Sequence, residues 1–110
     1  MKTEFAAQAL RIYVGDDDKW KGGLLYPAIV LALKEAGLAG VTVFSGTEGF
    51  GSHAKLHTPR LEALFQGLPV VIEAVDAPDK IASAMPILDD MVTEGLVTVQ
   101  DLTAICYRKR

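Results

Sequence analysis

Three glycines, Gly46, Gly49 and Gly51, punctuate the chain just after a β-branched run, Val41 to Phe44. Glycine admits positive φ and lets backbone N–H groups approach an anion closely, so this spacing suits a phosphate or carboxylate ligand. The same spacing also fits a mobile turn that holds nothing. Asp16-Asp17-Asp18-Lys19-Trp20 offers carboxylates to Mg²⁺ and an aromatic face to a base. Three consecutive acids cannot all face one metal from a regular element. The competing reading is a solvated acidic turn, with Trp20 covering a subunit edge and Lys19 and Lys21 as the phosphate contacts. His53 and His57 are four apart, a spacing that puts both on one helical face and suits a transition metal. Only Glu48 and Glu62 lie near enough to help them, so a site needs symmetry-related copies; otherwise they are two exposed histidines that make the segment sensitive to pH. With Lys55 and Arg60 they make it locally basic, which suits an anionic ligand or an acidic partner surface, or is simply solvated charge. No Gly-x-Ser-x-Gly elbow, Walker loop or Cys–His pairing is present, so the chain does not read as an enzyme.

These residues must be positioned by ordinary elements. Leu10 to Val14 alternates as a strand ending at Gly15. A polar loop through Gly23 leads to a helix ending near Ala36, with Leu25, Ala28, Ile29, Ala32, Leu33 and Ala36 on one stripe and Gly37 as C-terminal cap. Pro27 fits only in the first turn. Strands follow at Val41 to Ser45 and at Pro69 or Val70 to Val75. The span between, Ser45 to Leu68, exceeds the ~12–15 residues that compact domains usually leave unstructured. A second helix begins at Asp76 or Ala77 with Pro78 in its first turn, and interior Pro86 should kink or split it. Val97 to Val99 opens a last strand that Leu102 to Tyr107 continues, through a bulge near Gln100 and Asp101. The order β-α-β-β-α-β is ferredoxin-like, an α+β sandwich built from two split β-α-β units. It brings Gly15–Gly23, Ser45–Leu68 and Glu94–Leu96 to one end of the sheet.

The 110 residues fit one domain, 1–110, and half of them are hydrophobic, so the chain is globular. A net charge of −3 argues against a nucleic-acid partner. One cysteine, Cys106, excludes an intrachain disulfide, reads as a buried strand residue and fits a reducing cytoplasm. No secretory leader or membrane-spanning run is evident, which points to a cytoplasmic protein without membrane insertion.

Leu10-Arg11-Ile12-Tyr13-Val14-Gly15 with Asp16 to Trp20, Gly40 to Val43, Gly49-Phe50-Gly51, Leu68 to Glu73, Pro86-Ile87-Leu88, Met91-Val92 and Gly95 to Thr98 occur in an order that resembles the PII-like signalling proteins. Within that group the chain is similar to the domain of unknown function 190 family of bacteria and archaea. The resemblance covers nearly the whole chain. It implies a homotrimer with an adenine nucleotide in each inter-subunit cleft, and a loop, here Ser45 to Leu68, that changes order with ligand and docks on a target. Carried over by motif, Thr42, Gly49, Phe50, Gly51 and His53 approach the nucleotide, and Arg108, Lys109 or Arg110 contacts phosphate. With Lys19 and Lys55 from the reading of the residues, the candidate nucleotide set is Lys19, Thr42, Gly49, Phe50, Gly51, His53, Lys55 and Arg108. The glycine-rich, lysine-bearing turn before the last strand is replaced by Glu94-Gly95-Leu96-Val97, which favours AMP or ADP over a triphosphate. No tyrosine lies between Ser45 and Leu68, so uridylylation is not expected. The resemblance names a membrane ion transporter as the natural partner class, requires no cofactor and leaves Mg²⁺ open. The alternatives are a metal-binding CutA-like trimer using His53 and His57, and a slow nucleotide hydrolase.

Overall fold

The structure is a computed structural model that describes residues 1–49 and 68–109. In chain order the elements are β1 (Lys2–Gly15), β2 (Lys19–Trp20), β3 (Gly23–Leu24), α1 (Leu25–Glu35), β4 (Val41–Ser45), β5 (Pro69–Asp76), α2 (Pro78–Met91) and β6 (Leu96–Tyr107). The four long strands form one antiparallel sheet in the order β4-β5-β1-β6. That order is the one the ferredoxin-like reading requires, because each helix carries the chain across one intervening strand, α1 across β5 and α2 across β1.

One face of the sheet carries Leu10, Ile12 and Val14 of β1 opposite Ala74, Ile72 and Val70 of β5. Against it pack Leu25, Ile29 and Leu33 of α1 and Ile81, Ala84, Leu88 and Met91 of α2, forming one buried cluster. Each helix therefore presents the stripe its 3.6-residue period dictates. The first ends in a two-bond cap: Gly37 N–H donates to the Lys34 carbonyl (3.1 Å) and Leu38 N–H to the Leu33 carbonyl (3.2 Å). Gly37 takes φ +90° there, and Leu38 folds back into the core.

Several elements differ from the sequence expectation. The first strand begins at Lys2 rather than Leu10, because β6 supplies an unbroken partner from Tyr107 opposite Lys2 to Leu96 opposite Tyr13. Pairing overrides the weak intrinsic preference of Glu4, Ala6 and Ala7 for a strand. The same continuous register leaves no bulge at Gln100 and Asp101, which face Ala9 and Gln8. Gln8 Nε2 donates to Asp101 Oδ1 at 2.8 Å, so the polar pair stabilises the ladder it was expected to interrupt. Pro86 does not split α2, which runs on to Met91. Pro86 and Ala82, whose carbonyl it cannot bond, both lie on the exposed side. Cys106 is half-buried rather than buried: it faces Thr3 where β1 and β6 continue past the other strands. The polar loop after Gly15 contains the small β2–β3 hairpin.

At the rim opposite the candidate site, Asp76 ties three elements together. Its Oδ1 accepts from Ala77 N–H at the start of α2 (2.7 Å), and its Oδ2 from Ala39 N–H in the turn before β4 (2.9 Å). Replacing Asp76 with alanine removes both acceptors and should cost about 1–2 kcal/mol, with Asp76→Asn recovering part of it. Chemical denaturation with an unchanged m-value checks this.

Candidate functional site

Four strand ends meet at one end of the sheet. Gly15 faces Pro69, Ser45 faces Val70 and Tyr13 faces Leu96, so the connections after β1, after β4 and before β6 share a rim. This is the convergence expected from the element order.

The first wall is the β2–β3 hairpin. Trp20 faces Gly23 and Lys19 faces Leu24, leaving Lys21 and Gly22 as a two-residue turn with φ of 45° and 84°. Two successive positive φ values match the twist of a hairpin, and glycine satisfies the second without strain. The Trp20 ring is half-buried against the core cluster and the Lys21 ammonium lies 5.0 Å from its centroid. Lys19 is exposed beside it.

Gly46 and Gly49 form the second wall, seated on Pro69. Gly46 N–H donates to the Pro69 carbonyl at 2.7 Å. A Cβ at Gly46 would stand 2.6 Å from Pro69 Cγ, and one at Gly49 3.3 Å from the same atom. Gly46 is therefore required by the close approach of two backbones. The sequence placed it in the glycine set without singling it out; its partner lies 23 residues away in sequence, and only the fold joins them.

The acidic triplet is spent largely on the backbone. Asp18 Oδ2 accepts from Gly15 N–H (2.9 Å) and Asp16 Oδ1 from Leu68 N–H (2.9 Å), leaving Asp17 exposed. Among the described residues no group of three His, Cys, Asp or Glu side chains is placed to hold a metal ion. Phe50, Gly51, His53, Lys55, His57, Arg60 and Glu62 lie outside the described residues, as does Arg110.

The remaining candidates are separated from the rim. Thr42 faces Glu73, in one row with Arg11 and Thr98 on the sheet face away from the helices. Arg11 crosses that row, its Nε donating to Glu73 Oε2 at 2.8 Å and its Nη1 to Gln100 Oε1 at 2.9 Å. Phe44 and Leu96, on the same face, are 51% and 58% exposed. Arg108 exchanges backbone hydrogen bonds with Met1 at the far end of β6. At ~3.3 Å per residue along β6 that is roughly 40 Å from the rim, so Arg108 reaches a rim only if it belongs to another copy.

The family model described as DUF190, "Uncharacterized ACR", matches residues 7–104. The chain belongs to the DUF190 family. Its relatives include the UPF0166 protein MJ1524 of Methanocaldococcus jannaschii, 36% identical over 98 residues, which cover 86% of this chain and 88% of the relative. A UPF0166 protein of Aquifex aeolicus is 32% identical over 96 residues, covering 87% and 90%. Among solved structures the DUF190 chain is similar to CPII of Thiomonas intermedia K12, a nitrogen regulatory PII-like protein bound to ADP, AMP and bicarbonate. That match has a TM-score of 0.64 at 19% identity and covers 93% of this chain and 91% of CPII. At that identity the likeness shows the fold: this family member has the PII-like, ferredoxin-like architecture. No helix among the described residues is long and apolar enough to cross a membrane.

Proposed function

We propose that this protein is a PII-like regulator, a single domain over 1–110, that binds AMP or ADP in clefts between the subunits of a homotrimer. The observation that carries the reading is the rim itself, where the strand ends bring the Lys19 hairpin and the Gly46–Gly49 backbone, seated on Pro69, to one end of the sheet. A glycine-rich backbone and an ammonium at one rim suit a phosphate without catalysis. CPII, which shares the fold, is bound to ADP and AMP, and this supports the choice of ligand. The uncovered sheet face, with Phe44, Tyr13, Leu96 and Val75 exposed, supports self-association. In this reading Arg108 of one copy contributes to the rim of the next, and Thr42 lies on the shared face.

In this reading Gly49, Phe50, Gly51, His53 and Lys55 complete the site, and the 45–68 segment carries the signal to a partner. The partner class to test first is a membrane ion transporter, met from the cytoplasm. The tight Glu94-Gly95-Leu96 turn, with no lysine, favours a mono- or diphosphate.

Light scattering tests the assembly, with a mass of three chains expected and a monomer counting against it. The single tryptophan, Trp20, lies in the β2–β3 hairpin at this rim and is the fluorescent reporter for ligand. Titration with AMP or ADP should give a saturable change. Lys19→Ala should weaken it about three- to tenfold, and Gly49→Ala should weaken it too by pushing against Pro69. Unaltered affinity in both variants would remove this rim from the site.

A further inference from the structure

We infer that Asp16 is a positioning residue that fixes the β5 end beneath the glycine wall to the β1 end that leads into the hairpin; its ligand-binding consequence rests on the nucleotide reading above. Beyond the last β1–β5 pair, Gly15 opposite Pro69, the ladder gains one more rung. Asp16 N–H donates to the Leu68 carbonyl at 2.8 Å, and Leu68 N–H returns to Asp16 Oδ1 at 2.9 Å. A side-chain carboxylate thus takes the place that a strand carbonyl would fill. Leu68 is bonded to Pro69, the residue on which Gly46 and Gly49 are seated. On the other side Asp18 holds the hairpin: its Oδ2 accepts from Gly15 N–H, and its carbonyl accepts from Leu25 N–H at the start of α1 (2.7 Å). The Asp16–Leu68 pair therefore adds a second link, beyond the Gly15–Pro69 pair, between the strand end under the glycine wall and the strand end that leads into the hairpin.

The carboxylate is half-buried and the bond is charge-assisted, so it is worth more than a neutral one. The residue type is selective. Asparagine keeps an oxygen at the same reach, whereas alanine leaves the Leu68 N–H without its acceptor.

Asp16→Ala and Asp16→Asn are compared by NMR amide exchange and by titration with AMP and ADP read from Trp20. In Asp16→Ala the Leu68 amide should exchange at least about tenfold faster, with Ile12 and Ile72 amides unchanged, and nucleotide affinity should fall about tenfold. Asp16→Asn should restore both to within about threefold. Leu68 exchange unchanged in Asp16→Ala would overturn the lock, as would equal acceleration of the core amides. A freed Leu68 amide with full nucleotide affinity would overturn the positioning role. If the wild-type protein binds neither nucleotide, the functional reading fails, and the exchange data alone decide whether the lock exists.

Discussion

Ile12→Ala is expected to destabilise the protein by about 2–5 kcal/mol, the largest effect of any single side-chain truncation considered. Ile12 is fully buried and directly faces Ile72, also fully buried, at the centre of the sheet beneath both helices. Truncation removes three carbons from a site walled by β5 and the helices, where neighbours cannot collapse inward without breaking the ladder. Against a typical total of about 5–15 kcal/mol, that loss leaves little margin. Leu31→Ala is the control: Leu31 lies on the outer face of α1, 56% exposed, and should shift stability by less than about 0.5 kcal/mol. Equilibrium urea denaturation of both variants decides it. A small loss for Ile12→Ala would mean that the assigned core face is wrong.

Gly95→Ala should cost about 2–3 kcal/mol for a different reason, overpacking. Gly95 turns the chain from α2 into β6 directly against β1. A Cβ there would stand 2.7 Å from the Tyr13 carbonyl oxygen, 3.2 Å from Val14 Cγ1 and 3.3 Å from Val92 Cγ1. The oxygen belongs to the backbone of a central strand and cannot step aside. Relief requires moving the start of β6 away from Tyr13, which loosens the Tyr13–Leu96 pair at the rim. At about 4–8 °C per kcal/mol for a domain of this size, the midpoint should fall by roughly 8–24 °C. Gly40→Ala, where a new Cβ meets nothing within 4 Å, should be nearly silent. Thermal unfolding at fixed protein concentration separates the two.

These effects show where the sequence was informative. Period and capping residues announced both helices, because Leu25, Ile29 and Leu33, and Ile81, Leu88 and Met91, repeat at helical spacing and Gly37 follows the first. Val41 to Ser45 and Val70 to Val75 were legible as β-branched runs. The long β1–β6 pairing was not, since Glu4, Ala6, Gln100 and Asp101 carry little strand preference and are held by partners about 90 residues away. The hairpin at Lys21 and Gly22 was hidden because lysine is an unusual residue at positive φ.

For the site, residue chemistry singled out the rim, while the fold decided the roles. Asp16 and Asp18 read as metal ligands or as a solvated acidic turn, yet their oxygens accept backbone hydrogen bonds whose donors local spacing does not reveal. Gly46 drew no separate attention because its neighbour, Pro69, lies across the sheet. Arg108 stands far from Lys19 within one chain, so its assignment to the same cleft depends on assembly rather than on the monomer fold.

The most direct measurement is calorimetric titration of the purified protein with AMP, ADP and ATP, with and without Mg²⁺, alongside its mass in solution. The expected result is a trimer that binds AMP or ADP saturably at one per chain, with ATP weaker because the Glu94-Gly95-Leu96 turn supplies no cation. A monomer, or a trimer that takes up none of the three, would contradict it.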